Sequence, residues 1–278
     1  MSTETESRQP RGSIPRFLDM KMRGEKIVAL TAYDVLFARL VEEALVDIIL
    51  IGDSLGQVVL GYSSTIPVTL DEMIHHGKAV RRGAPETFLV LDMPFLSYQI
   101  SPEDALRNAG RVLKETGVQA VKLEGGTAAT CKTVETLIRA GIPVMGHLGL
   151  TPQSVHALGG YRVQGREEAA AERLRAQAQA LEDAGCFGLV LELVPAELAE
   201  EISRDLTIPT IGIGAGSACD GQVLVLYDAL GLNAGFRPKF LKRFGDLDAE
   251  VRKALDAYVG EVRGETYPGP EHSFFKDP

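Results

Sequence analysis

What most limits the fold of this chain is a recurrence. Short apolar runs rich in β-branched residues each stop at a polar or Gly-containing turn, with helix-patterned stretches between them. The runs cover residues 26–31, 48–51, 87–91, 120–123, 142–145, 188–191, 209–213 and 223–226. Runs bounded in this way read as buried parallel strands. The intervening stretches carry helix signals. Asp34 is placed to cap a helix over 35–44. Thr69-Leu70-Asp71-Glu72 opens another that ends at Arg81-Arg82-Gly83. Ser101-Pro102 starts a third that runs to Thr116-Gly117. Further helices are expected over 128–140, 167–185, 195–204 and 247–262. Repeated βα units imply a parallel sheet with right-handed crossovers. About eight of them in about 250 residues fit a closed α/β (β/α)8 TIM barrel. An open doubly wound sheet announces itself with GxGxxG after the first strand, and none is present.

The domain expectation is built on that recurrence. Residues 1–25 form an N-terminal arm and entry segment, polar and loose through residue 15. Residues 26–264 form one barrel domain, and 265–278 a non-helical tail. The composition, 45% hydrophobic and 24% charged over 278 residues, is that of a globular protein. A net charge of −9 argues against nucleic acid as the main partner and against an anionic membrane surface. Cys131, Cys186 and Cys219 show no metal-ligand spacing and read as thiols of a reducing compartment. The N-terminus lacks an apolar segment, and no stretch approaches the ~18 apolar residues of a membrane span. A cytoplasmic location is the expectation.

Polar residues fall in line at the strand ends: Asp53, Asp92, Lys122 with Glu124, His147 and Glu192. In a barrel these ends share one rim, where sites are built. Lys122 and Glu124 are two apart and face the same side of their strand. Each residue alone could be a buried ion pair or a helix cap, but six on one rim point to a site. Carboxylates without a Cys or His grouping suit a hard divalent ion, Mg²⁺ first. Asp53 and Asp92, on adjacent strands, are the natural pair of ligands, and Ser54 is a substrate contact. A 2-oxo acid offers two chelating oxygens, and a metal would polarise its carbonyl. The base must then be another carboxylate. Glu192 fits, with Glu124 as a supporting or water-holding group. His147 is equally readable as a rival base or as a residue that orders its loop. Two readings of Gly212-Ile213-Gly214-Ala215-Gly216 stay open, close approach to a ligand or close packing of a turn. His75-His76, beside Lys78, Arg81 and Arg82, reads as a solvated or subunit-facing surface. The segment 55–69 is too apolar for a plain solvent loop, and is expected to cover the site or meet a neighbouring subunit.

These motifs resemble those of the 3-methyl-2-oxobutanoate (ketopantoate) hydroxymethyltransferase family. The resemblance is carried by GDSLGQVVLGY at 52–62, DMPF at 92–95, VKLEGG at 121–126, MGHLGLTPQSVHALGGY at 145–161, Glu192, GIGAG at 212–216 and EHSF at 271–274. The block around His147 is the most specific. Leu91 before DMPF, and Ala44 where Gly is usual, depart from the pattern without touching the proposed chemistry. The resemblance implies a phosphoenolpyruvate/pyruvate-type TIM barrel of pantothenate biosynthesis. It implies hydroxymethyl transfer from 5,10-methylenetetrahydrofolate to 3-methyl-2-oxobutanoate, forming 2-dehydropantoate. It further implies Mg²⁺ on Asp53 and Asp92 and a metal-bound water on Glu124. Substrate contacts would come from Asp53, Ser54, Asp92 and Lys122, with Glu192 as the proton acceptor. The expected assembly is a homodecamer, a pentamer of dimers. Two rivals are a lyase or mutase of the phosphoenolpyruvate mutase and isocitrate lyase type, and a binding protein that has kept the barrel without turnover.

Overall fold

The computed structural model describes residues 12–276. Of the arm expected over residues 1–15, residues 1–11 lie outside the described residues. The first described element is a helix, α1 (Ile14–Arg23), where the sequence led us to expect a loose arm and entry segment. Its signals are nonetheless local. Ser13 accepts from the Arg16 amide, Pro15 sits in the first turn, and Gly24 ends the helix in a left-handed conformation (φ 68°).

The barrel then builds in chain order: β1 (Ile27–Thr31), α2 (Val35–Glu43), β2 (Ile48–Ile51), a four-residue helix α3 (Leu55–Val58), α4 (Leu70–Gly83) and β3 (Phe88–Asp92). It continues with α5 (Pro102–Thr116), β4 (Ala120–Glu124), α6 (Ala128–Arg139), β5 (Val144–Gly149), α7 (Glu168–Asp183) and β6 (Gly188–Glu192). It closes with α8 (Ala196–Asp205), β7 (Thr210–Ile213) and β8 (Gly221–Leu224). All neighbouring strands are parallel, and β8 pairs with β1 through Ile27 opposite Gly221, which closes the ring. The helix caps fall where the sequence placed them. Asp34 accepts from the Leu36 and Phe37 amides, Thr69 and Glu72 form a reciprocal capping box, and Ser101 caps α5.

Two strands are displaced from expectation. The fifth begins at Val144 rather than residue 142 and extends to Gly149, so His147 lies inside the strand. Pro143 has no amide to give to a ladder, which delays the start. Gly146 and Gly149 look like breakers but are packing positions. A Cβ on Gly146 would come 3.0 Å from both Leu181 and Leu189, and one on Gly149 would collide with the Glu192 carbonyl oxygen. The eighth strand covers 221–224 rather than 223–226, because Gly221 must lie against the Ile27 carbonyl to close the barrel.

A first compact unit ends at Val225, and a second begins at Leu226. The barrel strands therefore all lie in the first. The second unit contains α9 (Leu226–Ala229), α10 (Leu247–Arg263) and a short 3-10 turn (Pro270–His272). The C-terminal part of the stretch expected as one domain to residue 264 thus belongs to this second unit.

Inside the barrel, alternate residues of each strand point to the axis. The lower layers are apolar: Ile27 and Ala29, Ile48 and Leu50, Phe88 and Val90, Ala120, Met145, Val190, Ile211 and Val223. Helix α1 adds Phe17 and Met20 to this cluster. Phe17 meets Phe88 edge-on at 5.2 Å, and Phe88 meets Phe187 at 5.8 Å. The same period of two carries each strand upward from apolar to polar: Val90 to Asp92, Ala120 to Lys122 and Glu124, Met145 to His147, Val190 to Glu192. The apolar floor thus fixes which side chains line the mouth.

Candidate active site

Register brings the polar ends together. Asp92 lies opposite Lys122, and Glu124 opposite His147. Asp53 follows β2, and its backbone amide donates to Asp92 Oδ2 at 3.0 Å. Lys122 Nζ stands 3.2 Å from Asp92 Oδ1 and 3.0 Å from His147 Nδ1. His147 reaches on to two carboxylates. Its Nδ1 is 3.5 Å from Glu124 Oε1, and its Nε2 is 3.2 Å from Glu192 Oε2. All six of the predicted rim residues therefore join one cluster. Asp53, Asp92, Lys122, Glu124 and His147 are buried.

Three further residues complete the cluster, and the sequence assigned none of them a role. Gln153 lies in the short 3-10 turn after β5 (Pro152–Ser154). Its side-chain amide donates to Asp53 Oδ2 and to the Met93 carbonyl, both at 2.9 Å, and its backbone amide donates to Glu124 Oε2 at 3.0 Å. Tyr98 donates to Gln153 Oε1 at 3.0 Å and accepts from the Glu124 amide at 3.1 Å. Tyr33 places its hydroxyl 2.9 Å from Ser54 Oγ. The sequence signals for Gln153 were its place in the long loop after β5 and inside the motif at 145–161, neither of which gave it a role. An amide is no metal ligand of choice, so residue type alone did not mark it.

One pattern runs through the carboxylates. Three of the four have one oxygen held by an N–H: Asp92 Oδ2 by Asp53, Asp53 Oδ2 by Gln153, Glu124 Oε2 by Gln153. The other oxygen of Asp92, Oδ1, is buried and faces the Lys122 ammonium at 3.2 Å. Burying a carboxylate oxygen costs free energy, which the facing ammonium offsets. Burial pushes Asp53 well above the usual carboxylate range, and Asp92 and Glu124 add to it; Lys122 and Gln153 oppose. Burial also raises Asp92, against the pull of Lys122. Burial draws the Lys122 ammonium down, yet Asp92, Glu124 and Asp53 hold it above its ordinary value. For His147, burial and Lys122 both favour the neutral ring, and Glu124 and Glu192 outweigh them. The cluster is thus short of positive charge. Among the described residues no three His, Cys, Asp or Glu side chains converge as a complete metal shell. Asp53 and Asp92 could supply two ligands, a number that Mg²⁺ completes with waters and a ligand's oxygens.

Glu192 is held by its backbone. Its carbonyl accepts from the Leu150 amide, and the Leu193 carbonyl accepts from the Gln164 amide, each at 2.8 Å. Both ends of the 150–164 loop are therefore fastened to one dipeptide. Leu193 adopts a left-handed φ of 46°, a strained conformation for a non-glycine residue beside a site.

Of the other sequence candidates, the Gly212–Gly216 stretch is accounted for by close packing. A Cβ on Gly216 would come 2.6 Å from Ala196, and one on Gly212 would come 3.0 Å from Cys219 Sγ. His76 is a structural residue, with Nδ1 2.6 Å from the Tyr33 carbonyl oxygen. The 55–69 segment is folded rather than open. Leu55, Gly56, Thr65 and Val68 are buried, and Tyr62 donates to Glu72 Oε1 at 2.7 Å.

Comparison with known proteins agrees with this geometry. The family described as ketopantoate hydroxymethyltransferase matches residues 11–270. A 3-methyl-2-oxobutanoate hydroxymethyltransferase of Heliobacterium modesticaldum is 57% identical over 265 residues, covering 95% of this chain and 96% of that protein. Its counterpart in Moorella thermoacetica is 57% identical over 268 residues, covering 96% and 99%. Solved structures alike in fold are more distant. A putative phosphonomutase from Burkholderia cenocepacia superposes with a TM-score of 0.61 at 13% identity, covering 91% of this chain and 98% of that one. A 2,3-dimethylmalate lyase of the PEP mutase/isocitrate lyase superfamily gives 0.60 at 17%, covering 93% and 92%. The latter two show the barrel alone; the near-full-length match and the 57% identities carry the assignment, and the chain belongs to the ketopantoate hydroxymethyltransferase family.

Proposed function

We propose that the chain transfers a one-carbon unit from 5,10-methylenetetrahydrofolate to 3-methyl-2-oxobutanoate. With water, the products are 2-dehydropantoate and tetrahydrofolate, the first step of pantothenate biosynthesis. The observation that carries this reading is the buried pair Asp53 and Asp92, each with one oxygen tied by an N–H, inside a cluster of carboxylates with Glu192 on a strand across the mouth. Asp53 and Asp92 would hold Mg²⁺, with Glu124 on a metal-bound water. A bound Mg²⁺ supplies polarisation of the oxo group and stabilises negative charge developing on its oxygen.

The chain's own residues do the rest. Ser54, oriented by Tyr33, and the Lys122 ammonium contact the oxo acid, and Lys122 offsets its carboxylate charge. Glu192 removes the C3 proton, which opens that carbon to attack on the folate-borne carbon. His147 stands between Lys122 and Glu192 and orients the base. The clamp on the Glu192 and Leu193 carbonyls holds the base at a fixed distance from the pair of aspartates.

Deuterium exchange at C3 of 3-methyl-2-oxobutanoate in D₂O with Mg²⁺ tests the reading without the folate. Glu192→Gln is expected to slow exchange on the order of 10²–10⁴-fold. Exchange as fast as wild type would remove Glu192 from the role of base. Chelation with EDTA is expected to abolish exchange, and added Mg²⁺ to restore it. Unchanged turnover in EDTA would count against the metal.

A homodecameric assembly and a cytoplasmic location belong to the same proposal. Support for assembly comes from α10, where Val251, Leu255, Tyr258, Val259 and Val262 are exposed at helical spacing. No helix among the described residues is long and apolar enough to cross a membrane.

A further inference from the structure

The residues assigned to the oxo acid and the metal leave one part of the mouth unused. A cleft of about 320 Å³ lies between the loop after β2 and the loop after β5. Ser63 and Ser64 line one side, and His156, Gly159, Gly160 and Tyr161 the other. A volume of this size falls at the lower end of small-molecule sites.

Its walls suit a flat ligand with a polar edge. Gly159 and Gly160 have left-handed φ values of 70° and 106°, and a Cβ built on either meets no atom within 4 Å. The turn requires glycine, and the outcome is a wall of bare peptide. Gly160 is fixed there by its amide, which donates to the Val155 carbonyl at 2.9 Å. Tyr161 brings an aromatic ring, and Ser63, Ser64 and His156 bring hydroxyls and an imidazole, groups able to hydrogen-bond a heterocycle's edge.

The cleft is also joined to the chemistry. Gln57 lies one turn along from Ser54 and spans the two sides. Its amide nitrogen is 3.4 Å from the Ser63 carbonyl oxygen and 3.5 Å from the Tyr161 hydroxyl. Partial burial raises the Tyr161 phenol, the Gln57 bond opposes this, and the charges of Glu192, Asp53 and Glu124 add to it. The base and both aspartate-side carboxylates are therefore within electrostatic reach of the ring.

We propose that this cleft seats the fused pterin ring of the reduced folate, with Tyr161 and the Gly159–Gly160 peptide as its flat walls. The assignment rests on the proposed one-carbon transfer. It puts the donor beside Ser54 and the base, where its carbon can meet C3 of the oxo acid.

Tetrahydrofolate binding, measured by calorimetry without oxo acid, reads the cleft by itself. C3 exchange in D₂O without folate reads the oxo-acid site by itself. Tyr161→Ala is expected to weaken tetrahydrofolate by about tenfold or more, and to raise the KM for methylenetetrahydrofolate in step. Its C3 exchange should stay within about twofold of wild type, which also shows that the variant is folded. Tyr161→Phe should keep most of the affinity, since the ring and not the hydroxyl does the stacking. Ser64→Val should weaken binding without affecting exchange. Unchanged tetrahydrofolate affinity in both Tyr161→Ala and Ser64→Val overturns the assignment. So does a Tyr161→Ala that loses exchange together with donor binding, since Tyr161 would then serve the oxo acid. Absence of C3 exchange in the wild type would instead sink the enolising reading, with the calorimetry still deciding the cleft.

Discussion

Gln153 touches more of the site than any residue the sequence singled out. It donates to Asp53, Met93 and Glu124, and accepts from Tyr98 and from Gln99 (3.2 Å). The bonds to Asp53 and Glu124 each occupy one carboxylate oxygen and so leave the other oxygen of each for another partner. Residues that orient metal ligands in this way typically account for 10–100-fold in affinity. Gln153→Ala is therefore expected to weaken Mn²⁺ or Mg²⁺ by about 10–100-fold. Electron paramagnetic resonance of Mn²⁺ measures it directly, and an affinity equal to wild type would make Gln153 mere packing. The contrast with Asp92, Lys122, Glu124 and Glu192 is instructive. Those four were legible because a strand's period of two fixes where a side chain points once the strand is found. Gln153, Tyr98 and Tyr33 come from loops and turns, whose paths are set by what they pack against. No local spacing announces them. His147 falls between. Its membership of the site was visible, but its place inside β5 depended on Gly146 and Gly149 being packing glycines rather than stops.

At the level of elements, the sequence located the helices that alternate with the strands and missed α1 and the short α3 and α9. Helix α3 has four residues and no side-chain cap bond. Helix α1 had a capping Ser, an early Pro and a terminal Gly, yet its polar surroundings read as an arm. Its true warrant is the burial of Phe17 and Met20 among the barrel's lower layers. A different inter-element tie is testable by pH. Glu182, at the end of α7, accepts from the Thr207 amide and hydroxyl at 2.7 Å and from the Ile208 amide at 3.0 Å. Partial burial works to raise this carboxyl, but the bonds from Thr207, Ile208 and Gln179 outweigh it and hold Glu182 below its ordinary value. Its folded-state pKa is thus depressed below the unfolded value of about 4.3. The stabilisation is complete above that value and disappears as pH falls through the lower, folded one. Glu182→Gln should lower Tm at pH 6–7, and the gap from wild type should close as pH drops below about 4. A gap that stays constant through this range would show the tie to be charge-independent.

On the scale of the whole molecule, apolar surface is distributed unevenly. Helix α10 has no buried residue, and Leu255 and Tyr258 are 57% and 58% exposed on one face with Val251, Val259 and Val262. In the first unit, Val28 of β1 and Leu36 and Leu40 of α2 are exposed as well. Apolar residues grouped at helical spacing on a surface mark contact with another macromolecule. For the proposed assembly, Leu255→Glu with Val259→Glu is expected to yield smaller species by light scattering, with the circular dichroism of the barrel retained. An unchanged mass would exclude α10 from the contacts. The barrel itself, eight parallel strands and the order of its polar rim, was readable from periodicity alone. The division at Val225 was not, since nothing in the composition changes there.

The fastening of residues 150 and 164 to Glu192 and Leu193 has a practical side. Because Leu150 and Gln164 both end on one dipeptide, the distance between the loop's ends is set by β6, whatever the loop contains. The stretch behaves as a cassette with fixed sockets. With Gly149 and Gln153 kept, residues 154–163 could be exchanged for other lengths and sequences while Glu192, the proposed base, stays where the barrel put it. Donor preference could then be re-engineered in that cassette, separately from the proton chemistry beneath it.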